Sequence, residues 1–155
     1  MPENGLPIVT LTNQPEFVRI IGPVFALVLL NFVVLALLGA LRLHKIKTRE
    51  IPTRYFELMQ MPSGAYLPAA PEAAARNFIN LFELPVLFYA LVPLLLFTGL
   101  WNDTSVALLW AFVVLRYLHT AVHLTFNAVP VRFALYLAGA LALFAEWLRF
   151  ARALW

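Results

Sequence analysis

The chain contains no cysteine. Disulfides, thiolate metal ligands and a cysteine nucleophile are therefore excluded, and the redox compartment stays open. Charge is also scarce: only 12% of the 155 residues are Asp, Glu, Lys or Arg, against about 25% in soluble domains. Apolar residues fill the deficit at 63% of the chain, with a mean hydropathy of +0.83. So few charges mark a membrane protein. Ile20–Leu41 runs 22 residues without a charge, enough to cross a hydrocarbon core. No basic segment precedes it and it is too long for a signal-peptide core, so it is expected to persist as a membrane helix.

Taken in order, residues 1–16 are polar and proline-containing, an extended lead-in that ends in a helix start at Asn13-Gln14-Pro15-Glu16. Four spans follow, over about 16–43, 72–99, 104–127 and 131–153, within a single domain of residues 1–155. Asn31 interrupts the first span and is expected to make an interhelical hydrogen bond. Pro85 and Pro93 are expected to kink the second. Residues 44–71 form the longest connection. Arg42, Lys45, Lys47, Arg49, Arg54 and Arg76 surround that loop, whereas the opposite side has Arg19, Arg149 and Arg152. The positive-inside rule then puts the loop inside and both termini outside. The fold expected is an all-α membrane protein, an antiparallel four-transmembrane-helix bundle.

The charges that remain inside the spans are not scattered. Arg76, Asn80 and Glu83 are spaced i, i+4 and i+7, one face of a helix, and Glu83 lies roughly 10 Å below Arg76. Arg116, His119 and His123 share a face of the third span, Arg132 and Tyr136 open the fourth, and Arg42 closes the first. In an antiparallel bundle these nine side chains fall at similar depth on the loop side of the membrane. Four arginines then face one carboxylate, an excess that is expensive to bury without a ligand bearing carboxylates or a thiolate. Each residue also has a structural reading. Arg76 can snorkel, Glu83 can pair with Arg116, and Asn80 can bridge helices. His119 and His123 have the i, i+4 spacing of a metal pair, but they lack a neighbouring acid and Arg116 repels cations, so no metal is expected. Glu146 and Arg149 at i, i+3 read as a local ion pair.

The ordered set Arg76-x3-Asn80-x2-Glu83, Arg116-x2-His119-x3-His123 and Arg132-x3-Tyr136, with Arg42 ahead of it, resembles the MAPEG family. These are the membrane-associated proteins in eicosanoid and glutathione metabolism. The run Phe82–Tyr89 is similar to bacterial-type members of unassigned reaction. His123 stands where prostaglandin-synthase-like members carry Tyr, and Phe133 where they carry Ser. The resemblance implies a homotrimer that binds glutathione between protomers as co-substrate, with Arg132 stabilising its thiolate. It implies Arg42, Arg76 and Arg116 on the glutathione carboxylates, Asn80, Glu83, His119 and Tyr136 orienting the peptide, and His123 near the sulfur or an arginine. The activity implied is a glutathione-dependent transferase or peroxidase acting on lipophilic electrophiles. The alternative is a non-catalytic membrane scaffold or accessory subunit that binds another anion or a lipid headgroup. Expected partners are glutathione, a lipophilic small molecule and membrane lipids, with no nucleic acid. The expected location is a bacterial inner membrane, or alternatively an endoplasmic-reticulum-type membrane.

Overall fold

The structure, a computed structural model, describes residues 15–52, 55 and 68–155. Most of the polar lead-in and the middle of the long loop, with Arg54, lie outside the described residues. The described residues form five helices: α1 (Pro15–Lys47), α2 (Ala69–Glu83), α3 (Pro85–Thr98), α4 (Asp103–Leu124) and α5 (Val129–Leu154). Four segments, with α2 and α3 counted as one, are long and apolar enough to cross a membrane. No strand occurs among the described residues. The expected all-α, four-span membrane architecture is what forms.

Boundaries differ from the expected ones for local reasons. Helix α1 continues to Lys47, past the expected end near residue 43. His44, Lys45 and Lys47 occupy its last turn, where cations complement the carbonyl end of the helix dipole. At 33 residues it is about 50 Å long, so its ends project beyond a core of about 30 Å. The second span is not continuous. Pro85 has no N–H to give, and the helix breaks at Leu84 into α2 and α3. Pro93 lies inside α3 and does not divide it. Gly99, at φ 68°, takes the left-handed position that ends α3, its N–H on the Leu95 carbonyl. Asn102 then caps α4, accepting from the Thr104 and Ser105 N–H groups at 3.0 and 3.1 Å.

Packing fixes the arrangement of the spans. Helices α4 and α5 form the most extensive pair, and α1 lies against both α2 and α4. Leu27, Leu30, Leu81, Phe88, Leu91, Phe112, Val113 and Leu143 share one core, with Phe88 stacked on Phe112. Asn31 donates through Nδ2 to the Tyr89 hydroxyl at 3.1 Å, the interhelical bond expected of it. Arg19 at the start of α1 meets Asp103 at the start of α4, so these two helices begin at the same end. That end carries the short α3–α4 turn and is called the turn end below; the other is the loop end. Phe25, Phe32, Phe97 and Phe133 point outward, each more than 60% exposed. Such a surface suits lipid rather than water.

Candidate functional site

The loop end gathers the start of α2, the end of α4 and the start of α5 around a cleft of about 160 Å³. Arg76, His123 and Arg132, three of the residues singled out from sequence, line it together with Glu72 and Asn127. Each is placed by its helix end. Asn127 follows α4 in the left-handed conformation, φ 46°, with its N–H on the Val122 carbonyl at 2.8 Å. Asparagine tolerates that conformation better than most residues. The turn sets its side chain to accept from Arg132 Nη1 at 2.7 Å. Arg132 is therefore steadied by a neutral amide, and its charge is not cancelled there.

The backbone of Arg132 is also tied down. Its N–H donates to the Ala128 carbonyl at 3.0 Å, so its own amide is used within α5. Its carbonyl lies 3.0 Å from His119 Nδ1. A carbonyl only accepts, so His119 carries its proton on Nδ1 in this contact. His119 is buried, and its ring lies edge-on to His123 at 5.7 Å.

Behind this layer sits Arg116, only 1% exposed. Its guanidinium donates through Nη2 to the Tyr136 carbonyl at 3.0 Å and lies over the Tyr136 ring at 4.5 Å and the Phe112 ring at 5.1 Å. Attraction to two ring faces offsets part of the cost of burying the charge. Its Nε and Nη1 have no hydrogen-bond partner among the described residues. Gly139 is what lets α5 approach: a Cβ there would stand 3.0 Å from Arg116 Nη2. The pairing of Arg116 with Glu83, one structural reading of the sequence, does not occur.

The face of α2 shared by Arg76, Asn80 and Glu83 does not point into the interior of the protomer. Ala74, Asn77 and Leu81 form the buried stripe, whereas Arg76 and Glu83 are exposed and Asn80 is half-buried. Asn80 and Glu83 do not line the cleft, and neither does half-buried Arg42 near the end of α1. Arg76 reaches it while paired with Glu72 one turn earlier. The inward amide is Asn77, fully buried, which donates to Thr120 Oγ1 at 3.2 Å. Three residues were thus missed: Glu72, Asn77 and Asn127. The i, i+4 spacing of Glu72 and Arg76 was a usable signal for the first.

The described part is a four-span membrane protein with an arginine-lined cleft at one end. Its family follows from comparison. The MAPEG family model matches residues 20–152, and the chain belongs to that family. No curated protein and no solved structure matches it. It is an integral multi-pass membrane protein of a glutathione-related family.

Proposed function

We propose that this protein is a glutathione-dependent membrane transferase or peroxidase acting on lipophilic electrophiles, with Arg132 stabilising the thiolate. The observation that carries the reading is the Arg132–Asn127 contact in the cleft. A cation held by a neutral acceptor keeps its field for a ligand, and a nearby cation lowers the pKa of a thiol. Arg76 and Arg42 bind carboxylates of the tripeptide. His119 acts through the Arg132 backbone, Arg116 acts through Tyr136, and His123 faces the reacting sulfur from the cleft wall. Glutathione supplies the thiol; the chain itself has none.

The cleft is smaller than the roughly 300 Å³ at which pockets begin to enclose a whole small-molecule ligand. A single protomer therefore holds only part of the tripeptide. The stripe of exposed Arg76 and Glu83 with half-buried Asn80 beside it is costly against lipid. A homotrimer that covers this stripe with a neighbouring protomer completes the site and shields these groups.

Thermal unfolding in detergent with increasing glutathione tests the reading, since a ligand of the native state raises apparent stability by mass action. Stabilisation by glutathione but not by other anionic metabolites, with thiolate absorbance at the ultraviolet edge, is the expected result. Equal stabilisation by unrelated anions with no thiolate signal would instead support a non-catalytic scaffold.

A further inference from the structure

The turn end holds a second cavity, about 500 Å³, between the α3–α4 turn and the last turns of α5. Glu146 lines it and is only 1% exposed. Arg149 donates through Nε to Glu146 Oε2 at 3.1 Å, and no described residue hydrogen-bonds Oε1. An ionised carboxylate has about four acceptor positions, so a single donor leaves this one under-satisfied. Arg149 also donates through Nη2 to Asn102 Oδ1 at 3.0 Å, which fixes its guanidinium across the cavity wall. Arg152, exposed and one turn further along α5, lines the same cavity and has no ion pair among the described residues. The cavity thus combines a buried acceptor with more positive than negative charge toward its mouth.

We infer that this cavity binds a phosphate monoanion that carries a hydroxyl donor, a glycerol phosphate group. The phosphate lies on Arg149 and Arg152, where charge-assisted hydrogen bonds are strongest. The hydroxyl donates to Glu146. Glu146, Arg149 and Arg152 together have one cation in excess, which matches a phosphodiester and gives no advantage to a zwitterion. A choline headgroup also offers no hydrogen-bond donor to the buried carboxylate. The position suits a lipid: Trp101 flanks the turn between two spans, and exposed Phe97 and Leu154 offer apolar surface for acyl chains. The hydroxyl-bearing phosphate could also arrive as soluble glycerol phosphate, a monoester whose charge of about −1.5 to −2 at pH 7 exceeds the single excess cation. This site is separate from the loop-end cleft and independent of its chemistry.

Native mass spectrometry of the full chain from nanodiscs with equal phosphatidylglycerol, phosphatidylmethanol and phosphatidylcholine tests the assignment. Wild type should retain phosphatidylglycerol over phosphatidylcholine by about tenfold, a difference of about 1.4 kcal/mol. Arg152→Gln, an exposed change that leaves folding intact, should bring that ratio close to one. Glu146→Gln should keep the preference for anions but lose discrimination between phosphatidylglycerol and phosphatidylmethanol, which lacks the hydroxyl. Thermal stabilisation by glycerol 1-phosphate in detergent, without any lipid preference, would assign the site to the soluble form. Two results overturn the inference. One is wild type with neither lipid preference nor stabilisation by glycerol phosphate; the other is Arg152→Gln with its preference undiminished.

Discussion

At the turn end Arg19 lies against Asp103 and Arg149 against Glu146. At the loop end Arg132 is held by the Asn127 amide, and Arg116 by the Tyr136 carbonyl and two aromatic rings. Both arrangements fix a guanidinium in place, but they differ in what is left over. A carboxylate neutralises the cation it positions, whereas an amide, a carbonyl or a ring face positions it and leaves its charge. Arg76, paired with Glu72 yet lining the cleft, combines the two. Neutral scaffolding of cations thus marks the loop-end cleft, whereas at the turn end Arg19 and Arg149 are met by carboxylates and only the excess charge of Arg152 is left for an anion.

The largest effect should come from removing the least neutralised cation. Arg132→Leu is expected to leave the helices and much of the glutathione affinity intact. It should abolish the thiolate absorbance and lower turnover of an aryl halide by about a hundredfold or more, as loss of an oriented charge stabiliser does. Arg19→Leu, which breaks an exposed ion pair at the other end, is the control and should leave turnover unchanged. Equal losses in both variants, or full activity in Arg132→Leu, would erase the distinction between the two ends.

Gly139→Ala probes the neutral scaffold itself. The added methyl would stand 3.0 Å from Arg116 Nη2 and 3.4 Å from Nε, and the guanidinium is confined between the Phe112 and Tyr136 rings. Overpacking of this kind costs about 1–3 kcal/mol. The expected result is a lowered midpoint of thermal unfolding together with weaker glutathione binding. Gly39, where an added Cβ meets nothing within 4 Å, should accept alanine without either change. A silent Gly139→Ala would mean that Arg116 can move without consequence.

How much of this was legible in the sequence depended on whether water or lipid set the pattern. The spans and their antiparallel order could be read because charge ends a span. The convergence of Arg76, His123 and Arg132 followed from topology alone. The inward face of α2 could not be read. In a soluble helix the polar face points outward, but a membrane helix presents apolar residues to core and lipid alike. Ile79 and Phe82 on the exposed side are as hydrophobic as Leu81 on the buried one. Spacing grouped Arg76, Asn80 and Glu83 but said nothing of where the group points. The partners of Arg132 and Arg116 were hidden for a different reason: a turn amide at positive φ and a backbone carbonyl leave no charged signature.

Asn77 and Thr120 supply a smaller test of that inward face. Their buried contact joins α2 to α4 next to the His119 layer. Interhelical hydrogen bonds within membranes average about 0.6 kcal/mol in double-mutant cycles. The cycle of Asn77→Ala and Thr120→Val should give a coupling of about that size in detergent unfolding. The pair Asn80→Ala and Thr120→Val should give none. Coupling to Asn80 instead would turn α2 about its axis and bring the stripe of Arg76, Asn80 and Glu83 into the interior of the protomer.

The smallest expected effect concerns an ion pair at the loop end between Lys45, in the last turn of α1, and Glu50, which lies beyond the spans. Lys45 Nζ donates to both oxygens of Glu50 at 2.8 and 2.7 Å, and Thr48 adds a third bond at 2.9 Å. These donors, Lys45 foremost, hold the Glu50 carboxyl below its usual value of 4.5. A lowered folded-state pKa contributes stability that is present above the unfolded value and is lost as pH falls through the folded one. The contribution is therefore complete at neutral pH and fades on acidification below about 4.5. Glu50→Gln should flatten the acid side of the unfolding-midpoint profile and leave turnover at neutral pH unaltered. Added salt should shrink the difference between the two proteins, because exposed charges are screened over about 10 Å at 0.1 M. Arg132 should respond in the opposite sense if its charge is reserved for a ligand. Salt should then weaken glutathione binding without moving the midpoint of the free protein, and a midpoint that tracks salt through Arg132 would show that charge to be structural.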